Sequence, residues 1–317
     1  MAHTKVIVVA GENDEPAFAM LEGIPHVLIT ESPVPEQVCD GITTILYWSS
    51  PRLLREVFPA CHQLQWIHSR SAGLDNLLFP ELVDSDVVLT NGKGVFSATL
   101  GEFALAAILY FAKDLPRMHR NQVAHKWAPF DVERIEGQTV GIVGYGDIGR
   151  AVATRVHSMG MRVLATKRHI PKDPDPFIER YYLSADMHAM LALSDYVVVT
   201  APLTPETRHM ISDIEFAAMK PTATIINVGR GPVIDEQALV RALIEKRIKG
   251  AGLDVVEHEP LPEDSPLYAM ENVLLSPHCA DNVAGWKEDA MRFFLEQYAR
   301  YEKNEPLQNV VDKHLGY

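Results

Sequence analysis

The chain has 317 residues, 47% of them hydrophobic, enough for two domains of ordinary size and too many for wholesale disorder. Its formal charge is −13, from 29 Lys and Arg against 42 Asp and Glu, which argues against a nucleic-acid or anionic-membrane partner. An anionic ligand must therefore be drawn in by local positive groups.

The chain opens on Met1-Ala-His-Thr and enters a strand at 5–10, without the apolar length or cleavage site of a signal peptide. Further short strands are expected at 26–29, 43–47, 65–68 and 87–90. Helical or turn-like stretches lie between them at 16–21, 35–40, 51–58 and 77–82. This alternation predicts a small α/β unit with a parallel sheet. A helical block follows at 97–111 and 115–127. Its first half is apolar on nearly all sides, with Phe103, Leu105, Ile108, Leu109, Tyr110 and Phe111. It is either an ordinary core helix or a helix that packs against a second subunit. The most apolar run, 103–112, is too short to span a bilayer. Cys39, Cys61 and Cys279 are sparse and odd in number, form no zinc spacing, and so imply no metal and no disulfide framework. They fit a cytoplasmic setting, or an organelle lumen after removal of a transit peptide.

Thr139-Val-Gly-Ile-Val-Gly-Tyr-Gly-Asp-Ile-Gly149 begins a second unit. A β-branched strand at 139–143 leads into G-x-G-x-x-G, and a helix is expected at 150–159. Gly144 allows a tight turn, Gly146 lets backbone approach a pyrophosphate, and Gly149 lets helix pack on strand. The next strand, 162–165, ends in Thr166-Lys167-Arg168. A site selective for NAD places Asp or Glu near here for the ribose 2′-OH. Cationic and hydroxyl donors instead suit a 2′-phosphate, so NADP(H) is the expected cofactor, with NAD(H) possible. The alternative is a solvated basic turn. The segment Pro171-Lys-Asp-Pro-Asp-Pro176 reads as a loop. Strands at 196–200, 224–227, 252–255 and 273–275 alternate with helices at 184–193, 214–219 and 236–246, which predicts a doubly wound sheet. A last helix, 284–302, is long enough to return to the first unit. The expected division is 1–96 with 287–317, and 97–286.

Three polar residues follow strands of the second unit: Arg230, Glu259 and His278. Strand carboxyl ends of a doubly wound sheet form the ligand crevice, so the three can converge. Their types suit reduction of a 2-keto acid. A histidinium can protonate the carbonyl oxygen as hydride reaches the carbon. A carboxylate on the other ring nitrogen fixes the tautomer. An arginine can hold the substrate carboxylate and polarise the carbonyl. Taken singly, Arg230 could be a structural cap, Glu259 a surface carboxylate and His278 a loop histidine.

These residues sit in a familiar series. Ser71-Ala-Gly-Leu-Asp75, the glycine turn, Ala201-Pro-Leu-Thr204 with Thr207, Asn227-Val-Gly-Arg-Gly231, Ala251-Gly-Leu-Asp-Val-Val-Glu-His-Glu-Pro260 and Ser276-Pro-His278 occur in order. Along nearly its whole length the chain resembles the D-isomer-specific 2-hydroxyacid dehydrogenases. The resemblance implies a Rossmann nucleotide-binding domain, a smaller flavodoxin-like substrate domain and a homodimer formed through the nucleotide domain. It implies Arg230, Glu259 and His278 as the catalytic triad. The cofactor would be held by Gly144, Tyr145, Gly146, Asp147, Ile148, Gly149, Thr166, Lys167, Arg168, Ala201, Pro202, Thr207, Val228, Gly229, Arg230, Asp254 and His278, with Asp254 on the nicotinamide carboxamide. The substrate would be held by Ser71, Ala72, Gly73, Arg230 and His278; a glycine turn also exposes amides as an anion nest.

Departures bear on the substrate. Cys279-Ala-Asp-Asn282 follows the histidine where many relatives have a hydrophobic residue and a small one, so Asp281 and Asn282 could reshape the pocket or the hinge. Gly101 replaces a commoner alanine before Glu102. Arg70 either adds positive charge near the substrate or points outward. The leading expectation is a glyoxylate- or hydroxypyruvate-type reductase. Formate enzymes carry Gln where Glu259 stands, and phosphite enzymes carry Lys near the Ser-Ala-Gly turn, where Arg70 lies. A nucleotide-sensing interaction module on the same fold is the alternative from another class.

Overall fold

The computed structural model describes residues 5–10, 16–24 and 27–316. Met1–Thr4 and His26, part of the N-terminal reading and of the expected second strand, lie outside them. The chain forms two compact units, Met1–Phe96 with Val283–Tyr317, and Ser97–Asn282. Residues 283–286 thus belong with the first unit, ahead of the expected return at 287.

The first unit carries β1 (Lys5–Val9), β2 (Val27–Thr30), β3 (Ile42–Tyr47), β4 (Trp66–Ser69) and β5 (Val88–Asn91). They form a parallel sheet in the order β2-β1-β3-β4-β5, the flavodoxin-like doubly wound order. Parallel strands are covered on both faces, which is why β1 and β4 read as near-continuous buried runs. Helix Trp286–Glu302 covers β4, with Phe294 stacked 5.7 Å from Trp66 and Tyr301 Oη donating to Gln65 Oε1 at 2.7 Å. The C-terminal tail bridges antiparallel to the edge strand β5 through Thr90 and Val310. Lys313 Nζ then caps the carbonyls of Leu82 (3.0 Å) and Val87 (2.9 Å).

His68 is fully buried in this unit, with Nδ1 2.8 Å from Thr90 Oγ1, to which Trp66 Nε1 also donates. Burial lowers its pKa from 6.5 to about 3, so the native imidazole is neutral. The unfolded chain takes up this proton below pH 6.5 and the native chain resists until about 3. Stability contributed by the neutral ring is therefore lost as pH falls across that window, at up to about 1.4 kcal/mol per pH unit for one proton. Thermal melts of wild type and His68→Gln between neutral and mildly acidic pH check this. The wild type should lose melting temperature more steeply; parallel slopes would remove His68 from the account.

The second unit carries β6 (Thr139–Val143), β7 (Arg162–Lys167), β8 (Arg180–Leu183), β9 (Tyr196–Val199), β10 (Thr224–Asn227), β11 (Gly250–Leu253) and β12 (Val273–Leu275). The parallel order is β12-β11-β10-β9-β6-β7-β8, so strand order reverses between β6 and β9. This is the Rossmann order extended by one strand, and the expected fold class holds for both units. Strand β8 was not expected. Its Arg-Tyr-Tyr-Leu run lies at the sheet edge and buries only Tyr182, so its apolar signal is weak.

Helix Ser97–Ala112 buries Leu100, Ala104, Ala107, Ile108 and Phe111. Gly101 explains the departure noted above, because a Cβ there would come within 2.9 Å of the backbone of Ala151. Ile108 and Phe111 are thus taken up by their own unit and are not free for a partner. The exposed apolar surface lies further on: Leu115 and Met118 (42% each), Val123 (67%), Trp127 (98%) and Val132 (46%). The following helix, Leu115–Val123, ends earlier than expected, with His125 in the left-handed region at φ 52°.

Candidate active site

The glycine turn joins β6 to helix Asp147–Ser158, which begins inside the motif, three residues before the expected start. Gly144 sits at φ 88°, where its Cβ position is 2.6 Å from Ala201 Cα, so both torsion and space demand glycine. A Cβ at Gly149 would meet Ile142 Cγ2 at 3.1 Å, which is the close helix–strand packing the motif requires. A Cβ at Gly146 meets nothing within 4 Å. That open approach faces a helix N-terminus that no side chain caps, so the turn fits a pyrophosphate. Asp147 accepts from Ser97 Oγ at 2.7 Å and ties the turn to the preceding helix.

Thr166 is buried at the end of β7, and its Oγ1 accepts from Gly144 N at 3.0 Å while its carbonyl accepts from Tyr145 N at 2.9 Å. It is thus a strut for the turn. Lys167 is half-buried with Nζ 5.7 Å from the Tyr145 ring, and Arg168 is exposed. Two acids stand nearby that the local sequence did not reveal. Asp175 accepts from Arg150 Nε at 2.7 Å. Glu206 is held below the usual carboxylate range, chiefly by the Thr204 hydroxyl and to a lesser degree by Arg168. The loop from Ala201 and Pro202 to Thr207 is closed by Thr207 Oγ1 donating to Pro202 O at 2.6 Å. Val228 is buried, and Gly229 lies so close to this loop that a Cβ would approach Ala201 O to 2.8 Å.

Arg230, Glu259 and His278 follow β10, β11 and β12. Asn227 pins the backbone before Arg230, accepting from Gly229 N and donating to Arg230 O, each at 3.0 Å. A Cβ at Gly231 would overlap Val256 O, so the Arg230 loop packs directly on the segment that leads to Glu259. Glu259 Oε1 accepts from Val256 N at 3.2 Å, and Oε2 lies 2.7 Å from His278 Nδ1. A carboxylate only accepts, so Nδ1 carries the hydrogen and Nε2 is left for proton exchange. Asp281 is half-buried, and burial raises its pKa, opposed by the charges of His278 and Arg230.

In the first unit, Ser71, Ala72 and Gly73 form a half-buried loop after β4. Ser71 O accepts from Gly92 N at 3.2 Å and Ala72 O from Asn91 Nδ2 at 2.8 Å, so the loop is tied to β5 and its extension. Arg70 does not point freely outward. Its guanidinium lies 5.0 Å from the Trp48 ring and 5.1 Å from the Trp286 ring.

A cavity of about 360 Å³ in the second unit is lined by Phe111, Arg120, Glu133, Lys249 and Glu271. It lies by the amino ends of β11 and β12, whereas the triad follows their carboxyl ends. Among the described residues, no group of His, Cys, Asp or Glu is arranged to hold a metal ion, and no helix is long and apolar enough to cross a membrane.

Known proteins resemble this chain in sequence and in fold. The family described as D-isomer specific 2-hydroxyacid dehydrogenase, NAD binding domain, matches residues 105–280. The chain is 34% identical over 286 residues to a glyoxylate reductase of Korarchaeum cryptofilum, covering 87% of this chain and 84% of that one. Its fold matches a D-isomer specific 2-hydroxyacid dehydrogenase of Xanthobacter autotrophicus Py2, solved with NADPH and MES, with TM-score 0.87, 30% identity and full coverage of both chains. It also matches an NADPH-dependent glyoxylate/hydroxypyruvate reductase of Sinorhizobium meliloti, solved with NADP and sulfate, with TM-score 0.86, 29% identity and coverage of 99% and 100%. The chain belongs to the D-isomer specific 2-hydroxyacid dehydrogenases, oxidoreductases that work with a nicotinamide cofactor.

Proposed function

We propose that this enzyme reduces a small 2-keto acid of the glyoxylate or hydroxypyruvate type to the D-2-hydroxy acid, with NADPH preferred over NADH. The observation that carries the reading is the 2.7 Å pair of His278 Nδ1 and Glu259 Oε2 on the same sheet as the glycine turn. When bound, the cofactor supplies a hydride to the carbonyl carbon. Glu259 holds the imidazole in the tautomer that leaves Nε2 facing substrate. His278 then delivers the proton that the carbonyl oxygen needs. Arg230 offers a planar fork to the substrate carboxylate and carbonyl. The names of the Korarchaeum and Sinorhizobium relatives support the substrate class. Lys167 and Arg168 at the end of β7, and the NADP-bound relatives, support the cofactor preference.

The test is steady-state reduction of glyoxylate, hydroxypyruvate, pyruvate and oxaloacetate, each with NADPH and with NADH. Highest kcat/KM for one of the first two substrates with NADPH is expected. Cofactor binding without reduction of any 2-keto acid would overturn the reading in favour of a nucleotide sensor.

The assembly proposed is a homodimer through the second unit. Leu115, Met118, Val123, Trp127 and Val132 expose apolar surface along one short stretch, and monomers rarely leave such surface contiguous. A two-fold partner is the commonest way to cover it. Light scattering at micromolar concentration should give about twice 35.3 kDa; a mass near 35.3 kDa would refute the dimer.

A further inference from the structure

We propose that Ser276, acting through Asp254, is a positioning residue that fixes the turn bearing the His278 imidazole. The inference rests on the reading of His278 as proton donor. His278 has φ 50°, in the left-handed region that residues with a Cβ seldom occupy. Such a conformation persists only where its surroundings over-determine it. The turn is otherwise poorly enclosed, since Pro277, His278 and Cys279 are all exposed. What holds it is hydrogen bonding to the end of β11.

Asp254 is 2% exposed and directly follows β11. Its Oδ1 accepts from Ser276 Oγ at 2.6 Å, Cys279 N at 3.0 Å and Ala280 N at 3.0 Å. Its backbone O accepts from His278 N at 2.8 Å, and Leu253 O accepts from Ser276 N at 2.8 Å. Pro277 has no N–H to give. The donors on both sides of His278 thus converge on Leu253, the last residue of β11, and on Asp254, which follows it. The Ser276 hydroxyl is the shortest of these bonds and joins the carboxylate before the turn, whereas the Cys279 and Ala280 amides join it after. Glu259 stands on a separate segment, anchored by Val256 N. Its 2.7 Å contact with Nδ1 therefore survives only if the His278 turn keeps its conformation. A loosened turn would leave Arg230 and the glycine turn in place and would misdirect the proton donor alone.

The test compares Ser276→Thr, which keeps a hydroxyl, with Ser276→Val, which has the same shape without one. Each is checked for folding by NADPH binding, read from cofactor fluorescence. Ser276→Val should lower kcat about tenfold, the size expected for one charge-assisted hydrogen bond, with KM for the keto acid little changed. Ser276→Thr should restore kcat. The low-field Nδ1–H resonance of His278, identified by its loss in His278→Gln, should broaden in Ser276→Val and persist in Ser276→Thr. Equal kcat in the two variants with the same resonance would overturn the positioning role. So would a Ser276→Thr enzyme as slow as Ser276→Val. Should His278→Ala retain kcat, the proton-donor reading fails, and the resonance alone still decides whether Ser276 holds the turn.

Discussion

Replacing His278 with alanine is expected to lower kcat for 2-keto acid reduction about 10²–10⁴-fold, the usual contribution of a positioned general acid. The fold should survive, because His278 is exposed and its loss leaves Glu259 open to solvent. Cofactor binding should survive as well, since the glycine turn is braced by Thr166 and Thr200 and not by the histidine. Glu259→Gln should keep the side-chain shape but lose the carboxylate that faces His278 Nδ1 at 2.7 Å, so the ring is less firmly oriented and kcat should fall. Steady-state kinetics across pH check both variants. A His278→Ala enzyme with undiminished kcat would be decisive against the role.

Neutralising Lys167 and Arg168 together should cost NADPH about 1.5–3 kcal/mol in kcat/KM, the range for losing charge-assisted contacts to a phosphate. NADH lacks that phosphate and should be affected only a few-fold. Glu206 adds a refinement, because it feels the charge of Arg168. Glu206→Gln should therefore raise the NADPH-to-NADH ratio, by removing a carboxylate from the neighbourhood of the same anion. Equal damage to both cofactors in the Lys167/Arg168 variant would sink the assignment.

Much of the fold was legible locally. Strands β6 and β10 have the ends expected from their apolar runs, because a strand covered on both faces must be apolar throughout, and β12, at one edge, is marked by its Val-Leu-Leu run. Strand β8 was not legible, since an edge strand is covered on fewer sides and Arg180 and Leu183 could stay exposed. The helix after the glycine turn begins at Asp147 because Gly149 is tolerated in a first turn when it packs on Ile142. The final helix begins at Trp286, where Gly285 at φ 84° breaks the run from Ala284.

What the sequence determined by itself was whatever depends on neighbours along the chain. The order strand, glycine turn, helix declares a nucleotide fold through torsion and close approach, and placing Arg230, Glu259 and His278 just after strands marks them as one candidate group. Tertiary structure decided what depends on strand order. It set Thr166 Oγ1 on Gly144 N, closed the 2.7 Å pair of His278 and Glu259, put Asp281 under the influence of both His278 and Arg230, and gathered the His278 turn onto Asp254. These partners are separated by some twenty residues or more, or meet only once a turn has closed. Sequence periodicity carries no record of such distances; the parallel order of β10, β11 and β12 does, because it brings their carboxyl ends side by side.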